Sequence, residues 1–260
     1  MDYSTSPIGL FDSGVGGTSI WKEIHRLMPA ESTIYLADSK NAPYGLRPKE
    51  EIISLSIKNT DYLLSRGCKL IVVACNTATT NAIKELREKY DVPFIGIEPA
   101  IKPAAIHTAT GSIGILATKG TLSSDLFAKT ISGLGNIKVI EQVGHNLVEL
   151  IESGKLESEE MNQLLRRYIE PMLQANIDYL VLGCTHYPYL IPQLQKILPP
   201  YVRIIDSGEA VARQTQNILQ KNNLLNNSAT EGLHEFYTNG STEVLQELIG
   251  SNFTAQYASF

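Results

Sequence analysis

Only three cysteines and one tryptophan occur in these 260 residues. No apolar run approaches the ~20 residues that a bilayer span requires. Three thiols cannot staple a chain of this length, which excludes a disulfide framework, and unpaired thiols point to a reducing compartment. There is no Lys/Arg block, and a net charge of −5 disfavours a nucleic-acid partner. Stretches rich in Pro, Gly or Ser that would mark an interdomain linker are missing as well. The start, Met1-Asp2-Tyr3-Ser4-Thr5-Ser6-Pro7, lacks the basic and apolar regions of a secretory leader, so a cytoplasmic location is expected. With 43% hydrophobic and 19% charged residues the composition is that of an ordinary globular protein, and the length suits two cores better than one.

What is present is alternation. Short apolar runs rich in β-branched residues alternate with longer helical patterns, the signature of βα units on parallel sheets. Strands are expected near 7–11, 33–37, 70–74 and 93–97, again near 112–116, 138–141, 179–183 and 202–206, and finally at 234–238. Pro48 to Ser65 and Glu159 to Leu173 carry amphipathic helical faces, with Pro171 a local irregularity, and a last helix is expected over 242–249. Lys221 to Asn227 reads as a solvent loop.

The two sets of strands match one another. Ile8-Gly9-Leu10-Phe11-Asp12-Ser13-Gly14 parallels Ile113-Gly114-Ile115-Leu116-Ala117-Thr118-Lys119-Gly120, and Cys75 precedes Ile97 by the same distance that separates Cys184 from Asp206. The expected fold class is therefore α/β, with two pseudo-symmetric α/β domains, mostly parallel sheets and the active site in the cleft between them. Crossovers near Glu98 and Ser207 divide the chain into 1–97 plus 208–260, whose C-terminal tail returns to the first domain, and 98–207.

Cys75 and Cys184 each end a strand and open a polar turn, Ala74-Cys75-Asn76-Thr77 and Gly183-Cys184-Thr185-His186. The position just past the carboxyl end of a strand is where open α/β sheets place their chemistry. A thiol beside a helix N-terminus or a cation is expected to ionise near neutrality. Two facing thiols suit the removal of a proton from one face of a carbon and its delivery to the other. Ser13, Asn76, Thr77 and Thr185, with the N–H groups around them, are suitable donors to the developing enediolate charge.

The glycine turn Asp12-Ser13-Gly14-Val15-Gly16-Gly17 offers backbone N–H groups to an anion or is a tight βα turn, and its Asp12 can orient a group or accept a proton. It matches neither the dinucleotide fingerprint nor a Walker loop. His186 tunes the neighbouring thiol, relays its proton or is structural. In Asn41-Ala42-Pro43-Tyr44-Gly45 the phenol covers a ligand or the segment is simply a good turn, while Glu152 reaches the cleft or ends a helix, and Cys68 reads as structural. Cys184 and His186 are only two ligands and no C-x-x-C or H-E-x-x-H spacing occurs, so no metal is expected. Two rivals stay open: a hydrolase or acyl transferase using Cys184 and His186, which leaves Cys75 idle, and an amino-acid sensor without turnover, which needs no second thiol.

Asp12-Ser13-Gly14-Val15-Gly16-Gly17, Asn41-Ala42-Pro43-Tyr44-Gly45, Ala74-Cys75-Asn76-Thr77-Ala78 and Gly183-Cys184-Thr185-His186-Tyr187-Pro188 occur together and in this order. With this set the chain resembles the glutamate racemase family over nearly its whole length, from Ile8 to about Arg213. The resemblance implies a cofactor-independent racemase that supplies D-glutamate for peptidoglycan, with two α/β domains enclosing a small-molecule substrate. It implies Cys75 and Cys184 as catalytic thiols, assisted by Asp12 and His186, which also contact substrate. Ser13, Tyr44, Gly45, Asn76, Thr77 and Thr185 are implied as further substrate contacts, and Glu152 as an acidic residue near the ligand amine. No cofactor, metal, nucleic acid or membrane is implied as a partner, and a homodimer is compatible with the resemblance. After the glycines the family commonly continues Leu-Thr-Val, whereas this chain has Thr18-Ser19-Ile20, which is expected to alter the packing of the first helix and not the chemistry. Aspartate racemases also use facing thiols but differ in the glycine turn and second cysteine motif, which favours glutamate.

Overall fold

The computed structural model describes residues 3–260; Met1 and Asp2, on which the leader expectation partly rests, lie outside them. Among the described residues, ten strands form two sheets, and all paired neighbours run parallel. The first sheet holds β1 (Ile8–Asp12), β2 (Thr33–Ala37), β3 (Leu70–Val73) and β4 (Phe94–Gly96), together with β9 (His234–Thr238) and β10 (Ala255–Tyr257), in the order β10-β9-β2-β1-β3-β4. The second holds β5 (Ser112–Ala117), β6 (Lys138–Val143), β7 (Tyr179–Gly183) and β8 (Arg203–Ile205), in the order β6-β5-β7-β8.

Set β9 and β10 aside and the two orders are the same. In each half the first strand is central, and the strand that leads into a cysteine lies directly beside it. Phe11 pairs with Val73 and Ala117 with Gly183, so the residues that follow emerge side by side at the carboxyl ends.

Alternation along a strand decides which layer each residue joins. On β2, Ile34 and Leu36 pack with Phe11, Ile71 and Val73 on one face, while Tyr35 and Ala37 pack with Leu10 and Val72 on the other. Both faces are covered, which is why these strands read as continuous apolar runs. The helix Thr18–Leu27 buries Ile20, Trp21 and Ile24 and packs against the helix Gly208–Lys221, which buries Val211, Ala212 and Leu219. The helix Glu159–Gln174 buries Met161, Leu165, Tyr168, Ile169 and Met172, one stripe at helical spacing, and the Ser158 side chain caps it by accepting the Met161 N–H. Pro171 stands inside its last turn without ending it, and the helix continues to Gln174.

Two details of the tail differ from expectation. The edge strand β10 was not anticipated, because Ala255–Tyr257 is too short and too polar to carry a strand pattern. The segment read as a solvent loop is tied down at Asn226, whose N–H donates to Glu31 Oε1 at 2.7 Å and whose amide nitrogen donates to Ala30 O at 2.8 Å. At Thr18-Ser19 the departure from the family pattern makes polar bridges between the halves. Thr18 Oγ1 donates to Val15 O and lies 2.6 Å from the Tyr189 hydroxyl, and Ser19 Oγ donates to Thr185 O at 2.9 Å. Among the described residues, no helix is long and apolar enough to cross a membrane.

Candidate active site

The carboxyl ends of the two sheets face each other across a small, largely enclosed space. Ser13, Tyr44, Gly45, Cys75, Asn76 and Thr77 line it from the first sheet's side, and Thr118, Val148, Cys184, Thr185 and His186 from the second's. Both sulfurs therefore border one shared space.

Cys75 is the N-cap of the helix Asn76–Lys89, and its Sγ accepts the Ala78 N–H at 3.4 Å. The thiol donates to Ser13 Oγ at 3.7 Å, and Ser13 Oγ donates in turn to Asp12 Oδ1 at 3.4 Å. Burial, and then the charge of Asp12, push the Cys75 thiol well above its ordinary pKa and outweigh the helix N-H and Ser13 contacts. This corrects the expectation of a readily ionised thiol: the helix N-terminus is present, but desolvation of a sulfur in a closed cleft is the larger effect. Asp12 is fully buried, which raises its pKa, and its Oδ2 accepts the Gly17 N–H at 2.7 Å and the Thr185 hydroxyl at 3.4 Å.

On the other side His186 Nδ1 lies 3.7 Å from Cys184 Sγ and 3.9 Å from Asp12 Oδ2, and Nε2 lies 2.5 Å from Glu152 Oε1. Burial alone would strip the imidazole of its charge, but the bonds to Cys184 and Glu152 and the charge of Asp12 reverse this and hold its pKa well above the ordinary value. Its two ring nitrogens thus face Cys184 and Glu152, and the Gly16 N–H also points at Nε2 at 3.3 Å. Glu152 Oε1 also accepts the Val15 N–H at 2.6 Å, and Oε2 accepts the Ser39 hydroxyl at 2.9 Å, so this carboxylate from the second half is held by the first.

The glycine turn does bind anions, and they are the chain's own carboxylates: Asp12 on the Gly17 N–H and Glu152 on the Val15 N–H. Its glycines are explained by close approach. A Cβ on Gly14 would sit 1.9 Å from Glu152 Oε1, and one on Gly16 2.2 Å from His186 Nδ1. Asp12 and Glu152 are thus behind His186 and the glycine turn and are not among the residues lining the cavity.

Tyr44 is buried on the wall, its hydroxyl donating to Asp38 Oδ2 at 2.5 Å and accepting from Asn59 at 3.0 Å, which fixes the ring. Gly45 allows contact between the halves, since a Cβ there would lie 2.9 Å from Thr118 Cβ. Thr77 Oγ1 and Thr118 Oγ1 are 2.8 Å apart. Asn76 is buried, and neither its Nδ2 nor its Oδ1 has a hydrogen-bond partner. Cys68 lies away from the cavity, in the core beside β1 and β3, where burial pushes its thiol up to about 12.

Thr118, Val148 and Ser39 were not singled out from the sequence. For Thr118 the signal was present, because the repeat aligns it with Ser13. Val148 and Ser39 carry no motif, and only the tertiary structure brings them to the site.

These features can be set beside known proteins. Residues 8–215 match the family described as Asp/Glu/hydantoin racemase. A glutamate racemase of Herpetosiphon aurantiacus is 48% identical over 235 residues, covering 90% of this chain and 92% of the relative. The Escherichia coli glutamate racemase, solved with L-glutamate and an activator, superposes with a TM-score of 0.84 at 34% identity, covering 96% of this chain and 97% of that one. The Francisella tularensis glutamate racemase, solved with D-glutamate, gives a TM-score of 0.84 at 27% identity and 98% coverage of both chains. By the residues matched and by this identity over nearly its full length, the chain belongs to the glutamate racemases of the Asp/Glu/hydantoin racemase family.

Proposed function

We propose that this isomerase interconverts L- and D-glutamate by passing the α-proton between substrate and two sulfurs, with no cofactor, and that its D-glutamate supplies peptidoglycan synthesis in the cytoplasm. The observation that carries the reading is the single small cavity bordered by both Cys75 and Cys184. In one direction the Cys184 sulfur takes the α-proton, the C–H electron pair moves into the carboxylate as an enediolate, and the Cys75 thiol delivers its proton to the opposite face. The reverse direction exchanges the roles. Each sulfur has its own support: Cys75 through Ser13 to Asp12, and Cys184 through His186 to Glu152. The solved relatives named above hold one enantiomer each, which fits a site that accepts both. The two units proposed are 1–97 plus 208–260 and 98–207, with the cavity between them.

The deciding experiment incubates the purified protein with L-glutamate, with neither pyridoxal phosphate nor metal added, and follows optical rotation. Rotation decays as the D enantiomer accumulates. Binding without any loss of rotation would leave a sensor, and a trapped acyl-sulfur adduct would instead favour the Cys184–His186 hydrolase.

Asn76 supplies a second test. A buried amide with no partner costs stability, and a ligand carboxylate or amine in the cavity would satisfy it. Asn76→Ala is expected to lower kcat/KM for glutamate by about tenfold or more, the worth of one good hydrogen bond to a charged group. The same change should leave the unfolding midpoint of the free protein unchanged or raised. A midpoint that falls in step with activity would assign Asn76 to the scaffold.

A further inference from the structure

At the opposite end of the first sheet, away from the cavity, three potential ligands converge. His25 lies in the last turn of the helix Thr18–Leu27, His234 is the first residue of β9, and Glu231 belongs to the loop just before it. One ligand atom from each lies within 4.8 Å of the others. We propose that His25, Glu231 and His234 form a binding site for a first-row transition-metal dication of the zinc class.

Three features support the assignment. First, the donor set is selective: two imidazoles and a carboxylate favour zinc, nickel or copper over calcium or magnesium. Three protein ligands also leave a fourth position for water. Second, His234 Nδ1 lies 2.9 Å from Thr33 Oγ1, while His234 Nε2 is buried without a hydrogen-bond partner. With Nδ1–H donating to Thr33, the lone pair of His234 Nε2 is free. That is the outer-sphere arrangement by which proteins fix a metal-binding imidazole.

Third, the surroundings are anchored. The Trp21 ring stacks on His25 at 5.1 Å between centroids and meets His234 edge-on at 5.5 Å, and its Nε1–H donates to Thr33 Oγ1 at 2.9 Å. Beside Glu231, the Gly232 N–H donates to Pro29 O at 2.9 Å, which holds the loop on the helix exit. Glu231 already lies 3.6 Å from His25 Nε2. Ligands about 2.0–2.1 Å from a tetrahedral ion stand about 3.3 Å apart, so groups now within 4.8 Å of one another must draw in by up to about 1.5 Å. The exposed Glu231 side chain is free to make that movement. An ion there would tie the first helix, which starts at the glycine turn, to the last-added strands of the sheet.

Trp21 is the chain's single tryptophan and lies against both imidazoles, so its fluorescence reports on the site. Titrating the intact protein with Ni²⁺ should quench that fluorescence saturably at one equivalent, and Zn²⁺ should compete. Zn²⁺ should also raise the unfolding midpoint by mass action. Glu231→Gln, at an exposed position that leaves the fold intact, and His234→Gln should each weaken Ni²⁺ binding at least tenfold with racemisation unchanged. Cys184→Ser should leave the affinity as it is. The proposal is overturned by the absence of saturable quenching, by equal affinity in Glu231→Gln and wild type, or by loss of binding in Cys184→Ser, which would place the ion on the thiols.

Discussion

Replacing either sulfur, as Cys75→Ala or Cys184→Ala, is expected to reduce glutamate racemisation by at least about 10³-fold in both directions, within the range that positioned acid and base groups supply. The reason is stereochemical. Inversion needs a proton removed on one face and another delivered on the opposite face, and a single sulfur reaches only one of them. The loss must therefore appear in kcat and kcat/KM together, because each thiol acts in the transition state and contributes little to ground-state binding. A finer signature follows in deuterium oxide. The remaining sulfur can still ionise the carbon from its own side, so deuterium should enter Cα of one enantiomer with configuration retained, and the two variants should label opposite enantiomers. Proton NMR of the α position reads this directly. Near-normal turnover in either variant, or labelling of the same enantiomer by both, would sink the facing pair.

The two sulfurs do not have equivalent surroundings. Cys75 is pushed toward the protonated form by burial and by Asp12, whereas Cys184 has the His186 ring beside it, Nδ1 3.7 Å from its sulfur. Because the groups share a cavity and a set of carboxylates, the pH profile reports macroscopic values of the assembly and not one value per cysteine.

Much of the architecture could be read from the chain because parallel sheets covered on both faces leave uninterrupted apolar runs. The match of Ile8–Gly14 to Ile113–Gly120 corresponds to two central strands, β1 and β5, in sheets of the same order. What stayed hidden depended on distance or on competing energies. Ser39 reaches Glu152, and Glu152 reaches Val15, only after the halves close on each other. The direction of the Cys75 shift could not be read from its motif, since the helix N-terminus is visible in sequence and the desolvation is not. His25 and His234 meet because β9 is added beside β2, a pairing no local spacing announces.

Lys69→Met is expected to destabilise the protein by about 3–5 kcal/mol, the usual cost of stranding one member of a buried ion pair. Lys69 Nζ lies 2.6 Å from Glu31 Oε2, and each side chain is only 1% exposed. The ammonium also donates to Ser4 O, and the other oxygen of Glu31 accepts the Asn226 N–H. The pair thus joins the chain start, the entrance to β3 and the loop that leads to β9. Methionine fills the stem's volume but leaves the buried Glu31 carboxylate with its countercharge gone. The penalty comes from that unpaired charge more than from any attraction lost, so removing both charges should restore most of the stability. Lys69→Met combined with Glu31→Gln is the variant to compare, since glutamine keeps an acceptor for the Asn226 N–H. Urea unfolding reads both: the single change should lower the midpoint with an unaltered slope, and the double change should recover more than half of the loss. Additive losses in the double variant would mean that the two side chains act independently, each through its other contacts, and that no stranded carboxylate carries the penalty.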